Sequence, residues 1–217
     1  MMSFQTESML YFDSLQELEQ FFQRFMIYEK WKITDEDVNS RGEKVRNSDY
    51  IKYFKNKFNE KGLFRRNVSV AELVSFVDNF YLMKKIIEKL KAEINIEDYN
   101  SFSLASEYRI RMSKNRRIDF ILIYKKKILL IEFAITRKFP NQGSTWQKKE
   151  TELLIYKELI NNYIENKKIY IYAFLGMPEY SKGGKIKKNE KYNTTNIDYF
   201  VKYINHFLIC KRQVRYS

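Results

Sequence analysis

Cysteine and histidine are almost missing from this chain of 217 residues, which has one of each. A lone thiol, Cys210, excludes a disulfide framework and a cysteine-rich zinc site, and it suits a reducing compartment. His206 sits in "YINHFLIC", which reads as packed helix, so a Ser-His-Asp or Cys-His catalytic arrangement is not expected. No apolar run approaches the length of a membrane span, and the polar start "MMSFQTES" lacks the apolar stretch of a signal peptide. A cytoplasmic protein without a membrane partner is the expectation. Hydrophobic residues make up 44% of the chain, enough for a real interior and for one sizeable domain or a core with an appended lobe. Forty Lys plus Arg against 27 Asp plus Glu give a formal charge of +13, a balance that commonly accompanies binding to a polyanion such as nucleic acid.

The order of elements follows from periodicity. Residues 14 to 31 open with Ser14 and Glu17 at capping-box spacing and continue with Leu15, Leu18, Phe22, Phe25 and Met26 at helical intervals. A basic helix is expected over 48 to 58, so residues 1–66 read as a helical lobe. Ser69 and Glu72 form another capping box, followed by the stripe Leu73, Val77, Phe80, Met83, Ile87 and Leu90, which predicts a helix to about 94. The period then changes. "SLASEYRIRM" (103 to 112), "RIDFILIY" (117 to 124) and "KILLIEFAIT" (127 to 136) are strand-like. A helix over about 146 to 165 carries Leu153, Tyr156, Ile160 and Tyr163, a fourth strand covers 167 to 176, and Thr195 or Asn196 caps a last helix. The fold class is therefore α/β (α+β), with a mixed central sheet flanked by helices in residues 67–217.

Two acids stand inside apolar strands. If the hairpin turns on Lys125 and Lys126, Asp119 lies directly across from Glu132, and Arg117 across from Ala134. Like charges on opposed strand positions, about 5 Å apart, destabilise a sheet. Burial raises the pKa of such a pair unless a cation intervenes, and Mg²⁺ or Mn²⁺ is the expected cofactor because hard cations are held by one or two carboxylates plus water and phosphate.

Asp119, twelve residues, then Glu132-Phe133-Ala134, on adjacent strands followed by a helix and another strand, resembles the PD-(D/E)xK nuclease superfamily over about 103 to 176. The resemblance implies a restriction-endonuclease-like fold, metal held by the Asp and the Glu, and a lysine two residues after the Glu that assists the attacking water. Here Ala134 stands in the lysine's place, and Ile118 where a Pro is usual. In some branches, cap-snatching endonucleases among them, the lysine has moved to the following helix, and Lys148 and Lys149 stand at the start of that helix. Lys149, one turn before Leu153 on the core-facing stripe, is favoured narrowly over Lys148; Arg117 and Lys138 are further candidates. Cap-snatching enzymes often carry a metal-binding histidine in their N-terminal helices, and this sequence has none there. A third acid is usual upstream of the Asp, with Glu107 ranked ahead of Glu88 and Asp78. Glu152 and Tyr156 are similar to the Gln-then-Tyr helix pattern of RecB-like nucleases, with Glu in the Gln position. The implied activity is metal-dependent hydrolysis of DNA or RNA, with Arg117, Lys138, Lys185, Lys187 and Lys188 as nucleic-acid contacts. The alternative is a nuclease-like fold that has lost catalysis and only binds nucleic acid or a protein.

Overall fold

A computed structural model describes residues 4–25, 30–33, 38–46, 48–61, 69–110, 116–135, 142–176 and 197–209. Along the chain run α1 (Phe4–Glu7), β1 (Leu10–Phe12), α2 (Leu15–Arg24), α3 (Val38–Arg46), α4 (Asp49–Lys61), α5 (Val70–Glu93) and α6 (Ile96–Asn100). Then come β2 (Phe102–Arg109), β3 (Arg117–Tyr124), β4 (Lys127–Ile135), α7 (Gln142–Asn161), β5 (Lys168–Gly176) and α8 (Ile197–Ile204), which runs into a π-helical turn, Asn205–Ile209. The five strands form one mixed sheet in chain order, antiparallel except for the parallel pair β4 and β5. Helix α7 makes the crossover that a parallel pair requires.

Local chemistry explains the helix starts. Ser14 Oγ accepts the Glu17 N–H, and Glu17 Oε2 in return accepts the Asp13 N–H at 2.8 Å, so two orphan donors at the start of α2 are satisfied. Ser69 Oγ accepts the Glu72 N–H in the same way at the start of α5. The expected stripe of α5, from Leu73 to Leu90, is buried throughout. Helix α2 is shorter than its periodicity predicts. Phe25 takes up extended backbone, and its ring packs edge-on against Tyr50, which ends the helix where that aromatic contact begins.

The first 66 residues do not form a purely helical lobe. Leu10 pairs with Ser106 and Phe12 with Leu104, so β1 extends the sheet, and the Phe21, Phe54 and Phe80 rings lie within 6.4 Å of one another. One aromatic core therefore joins α2, α4 and α5 to the sheet at Phe120. Burying each such ring stabilises the fold by about 1.5–3 kcal/mol, so these helices are held by the sheet as firmly as by their own propensity. The expected boundary at 66 lies outside the described residues. Helix α3 approaches closely because residue 42 is glycine: a Cβ there would stand 2.1 Å from Val70 Cγ1.

The sheet separates two cores. Leu104, Phe120, Leu122, Leu129, Ile131 and Phe133 face α2, α5 and α8, while Ala105, Ile121, Leu130 and Ala173 face Leu153, Tyr156 and Ile160 of α7. Side chains alternate as strands require until one place. Beyond Glu107 and Asp119 the alternation breaks, because Tyr108 and its partner Ile118 join the α7 core although Leu104 and Phe120 belong to the other. Glu107 has φ 48°, the left-handed region that a glutamate adopts at a cost, and such strain clusters at functional sites. Among the described residues no helix is long and apolar enough to cross a membrane.

Candidate active site

The Lys125–Lys126 turn sets everything that follows. Tyr124 pairs with Lys127 across it, with Lys125 at φ 53°, and the register runs on to Phe120 opposite Ile131. The next step outward holds Asp119 and Glu132. There carboxylates replace carbonyls as partners of the strand backbone: the Asp119 N–H donates to Glu132 Oε1 at 3.2 Å, and the Phe133 N–H donates to Asp119 Oδ2 at 2.8 Å. The two acids thus meet one step past the end of the ladder, through side chain-to-backbone bonds in place of the direct strand pairing that the spacing predicts, each holding the other's strand.

Helix α7 delivers a lysine to them. Lys149, one turn before buried Leu153, donates from Nζ to Glu132 Oε2 at 2.6 Å and lies 3.3 Å from Glu152 Oε2. Lys148 is exposed and is not among the residues lining this cluster. Of the three acids weighed as a third member, Glu107 is buried and lines the same cavity. Asp78 is buried elsewhere, where it accepts from Trp31 Nε1 and Arg41, and Glu88 is exposed and paired with Lys84 and Lys85. Arg117 was expected across from Ala134. The β3–β4 ladder ends before that pair, and Arg117 turns to Glu107 at 3.3 Å and to Glu72 of α5 at 2.8 Å. Lys138, Lys185, Lys187 and Lys188 lie outside the described residues, as does Cys210.

These groups line a cavity of about 290 Å³, with four acids, Glu107, Asp119, Glu132 and Glu152, facing three cations, Arg116, Arg117 and Lys149. Ile155 and Tyr156 form its apolar wall. The volume is near the lower end of small-ligand sites, about 300 Å³. Burial strips water from the carboxylates and raises all three inner pKa values. Glu107 is pushed well above the carboxylate range by desolvation and then by Asp119, and Asp119 is raised by desolvation although Lys149 opposes it. Glu132 is pushed up to about 8, by desolvation first and Asp119 second. For Lys149 burial alone would favour the neutral amine, but Glu132 and Asp119 outweigh it and hold its pKa above the ordinary lysine value. Lys149 is therefore an ammonium, a donor of hydrogen bonds and charge.

Among the described residues no three His, Cys, Asp or Glu side chains form a ready-made metal cage. The donor set nevertheless fits a hard divalent cation in the manner of Mg²⁺, which takes one or two carboxylates and completes its shell with water and substrate oxygen. Asp119 and Glu132 supply the two carboxylates, and their mutual repulsion is the conflict such an ion removes. Spacing left two residues unseen, Arg116, which lines the cavity, and Glu72, which touches Arg117 from outside it. Glu72 reads in sequence as a capping residue, and nothing local reveals that its carboxylate reaches 45 residues along the chain to Arg117. The chain matches no known family model and no curated protein.

Proposed function

We propose that this protein is a divalent-metal-dependent nuclease that hydrolyses phosphodiester bonds, a PD-(D/E)xK-type enzyme in which Lys149 of the following helix takes the part of the lysine absent at Ala134. The observation that carries this reading is the carboxylate pair of half-buried Asp119 and buried Glu132 at the open end of a hairpin, with the Lys149 ammonium 2.6 Å from Glu132 at the edge of a polar cavity. Asp119 and Glu132 are the residues that would hold Mg²⁺ or Mn²⁺, with Glu107 as a third. Such an ion, when bound, polarises a phosphoryl oxygen and lowers the pKa of a coordinated water towards neutrality.

The chain's own residues do the rest. Glu132 is kept in place by two donors, the Asp119 backbone and Lys149, so its carboxylate cannot rotate away. Lys149, charged at neutral pH, acts as a donor that stabilises charge developing on the phosphate and not as a base. Ile155 and Tyr156 line one side of the cavity with apolar surface. The excess of basic side chains supplies attraction for a polyanion without selecting sequence. Phe54, an aromatic within the basic helix α4, is buried in the core against Phe21 and offers no ring face for bases, whereas Tyr53 is only half-buried.

The test is cleavage of labelled DNA and RNA oligonucleotides in Mn²⁺. Wild type should cleave one or both, and Asp119→Asn and Glu132→Gln should each lose activity by about 10³-fold, as expected when a metal ligand's charge is removed. Metal-independent binding with no cleavage by the wild type would support the catalytically inactive alternative instead.

A further inference from the structure

We infer that Glu72 is a positioning residue that aims the Arg117 guanidinium at the substrate's phosphate. This rests on the nuclease reading and adds to it a residue from outside the sheet. Helix α5 presents Glu72 and Phe76 one turn apart, and both touch Arg117: Glu72 Oε1 accepts from Nη2 at 2.8 Å, and the guanidinium carbon stands 6.0 Å over the Phe76 ring. Glu107 approaches Nη1 from the sheet at 3.3 Å. The guanidinium is thus held by one carboxylate through a hydrogen bond and over its face by an aromatic ring, while its Nη1, at ion-pair distance from the strained residue of β2, makes no hydrogen bond with it.

That grip has a direction. Arg117 lines the cavity that contains Asp119, Glu132 and Lys149, and its side chain is 25% exposed. A long flexible side chain gains little as a phosphate ligand unless its rotamers are restricted beforehand, and a planar fork fixed by a carboxylate is the usual way of doing so. Glu72 itself does not line the cavity, so it acts through Arg117. Lys149 comes from α7 and meets Glu132, and Arg117 comes from β3 and meets Glu107, so the phosphate would meet cations seated on two different acids of the cluster.

A purely electrostatic role predicts the opposite sign of effect. Removing an acid near a polyanion site should strengthen binding if charge alone mattered, whereas loss of positioning should weaken it. Binding of fluorescein-labelled single-stranded DNA and RNA, followed by anisotropy in Ca²⁺ across a salt series, separates the two. Glu72→Ala is expected to bind about tenfold more weakly than wild type, the size of one lost charge-assisted contact. Arg117→Ala should lose at least as much, and the double variant no more than Arg117→Ala alone, since both act through one contact. The slope of log affinity against log salt should fall by about one in Glu72→Ala, as it does on removing a phosphate contact, and Glu72→Gln, which keeps an acceptor oxygen, should restore most of the binding. Urea midpoints confirm that the variants are folded. Glu72→Ala binding as tightly as wild type or tighter, an effect that multiplies in the double variant, or a wild type that binds neither oligonucleotide would overturn the inference. Binding that depends on Glu72 and Arg117 in a protein that never cleaves would discard the nuclease reading and leave this inference standing.

Discussion

Asp78 and Glu132 are both buried acids held by a basic side chain, and they lie in different parts of the molecule. Asp78, on α5, accepts from Arg41 and from Trp31 Nε1 at 2.8 Å, and the Arg41 guanidinium lies over the Trp31 ring. Arg41 is 1% exposed and Asp78 4%, so a charge pair is sealed between helices. Glu132 is as deeply buried, but it has Asp119 and Glu107 for neighbours, acids outnumber bases around it, and the group opens onto a cavity. The first arrangement ties α3 to α5. The second is less favourable as it stands, because desolvated like charges repel, and that unfavourable state is what a hard cation relieves. Burial of an acid is therefore uninformative by itself; what separates the Asp78 pair from the candidate site at Glu132 is the local balance of charge and access to solvent.

Several substitutions can break this contrast. The largest effect on stability is expected for Asp78→Ala, which leaves the Arg41 guanidinium buried without its carboxylate and should cost about 3–5 kcal/mol in a urea titration. Asp119→Asn, at a half-buried position where acids are in excess, should by contrast leave metal-free stability unchanged or raise it; a loss as large as that of Asp78→Ala would remove the distinction. Lys149→Ala comes next. It takes away the ammonium that meets Glu132, so metal-free stability should fall by about 1–3 kcal/mol and Mn²⁺-dependent cleavage by about 10²-fold, while Lys148→Ala should change either by less than about twofold.

The smallest effect is a slope with pH. The folded-state pKa of Glu132 is raised to about 8 from the ordinary 4.5, through desolvation and then Asp119. Between these values the folded protein retains a proton that the unfolded chain releases. The contribution of this group is complete below 4.5 and is lost as pH rises through about 8, so metal-free protein should weaken across that window. Urea midpoints measured through the window should decline for wild type and less steeply for Glu132→Gln, the remainder coming from Glu107 and Asp119, whose pKa values are raised as well, whereas Asp78→Asn should leave the decline unchanged.

The sequence made the hairpin and its acids legible because two constraints coincide there. A two-residue turn at Lys125 and Lys126 fixes the register, and strict alternation then decides which side chains meet, which is why Phe120 opposite Ile131 could be anticipated. Lys149 was legible for a similar reason, since helical phase ties it to buried Leu153. Strand β1 was not, because three residues are too few to display alternation. Helix α3 was not either: it carries no continuous apolar stripe, its largest buried side chain is Arg41, and its close approach depends on Gly42. Glu72 was visible only as a cap, since contacts between a helix terminus and a distant strand leave no trace in local spacing.

The central claim is that Asp119 and Glu132 hold a hard divalent ion between them. Anomalous scattering from a crystal soaked in Mn²⁺ tests it most directly. A peak within coordination distance of both carboxylates is expected, with the Lys149 ammonium shifted from its present contact with Glu132 Oε2. A protein crystal saturated with Mn²⁺ that shows no peak there, with Lys149 still seated on Glu132, would contradict it.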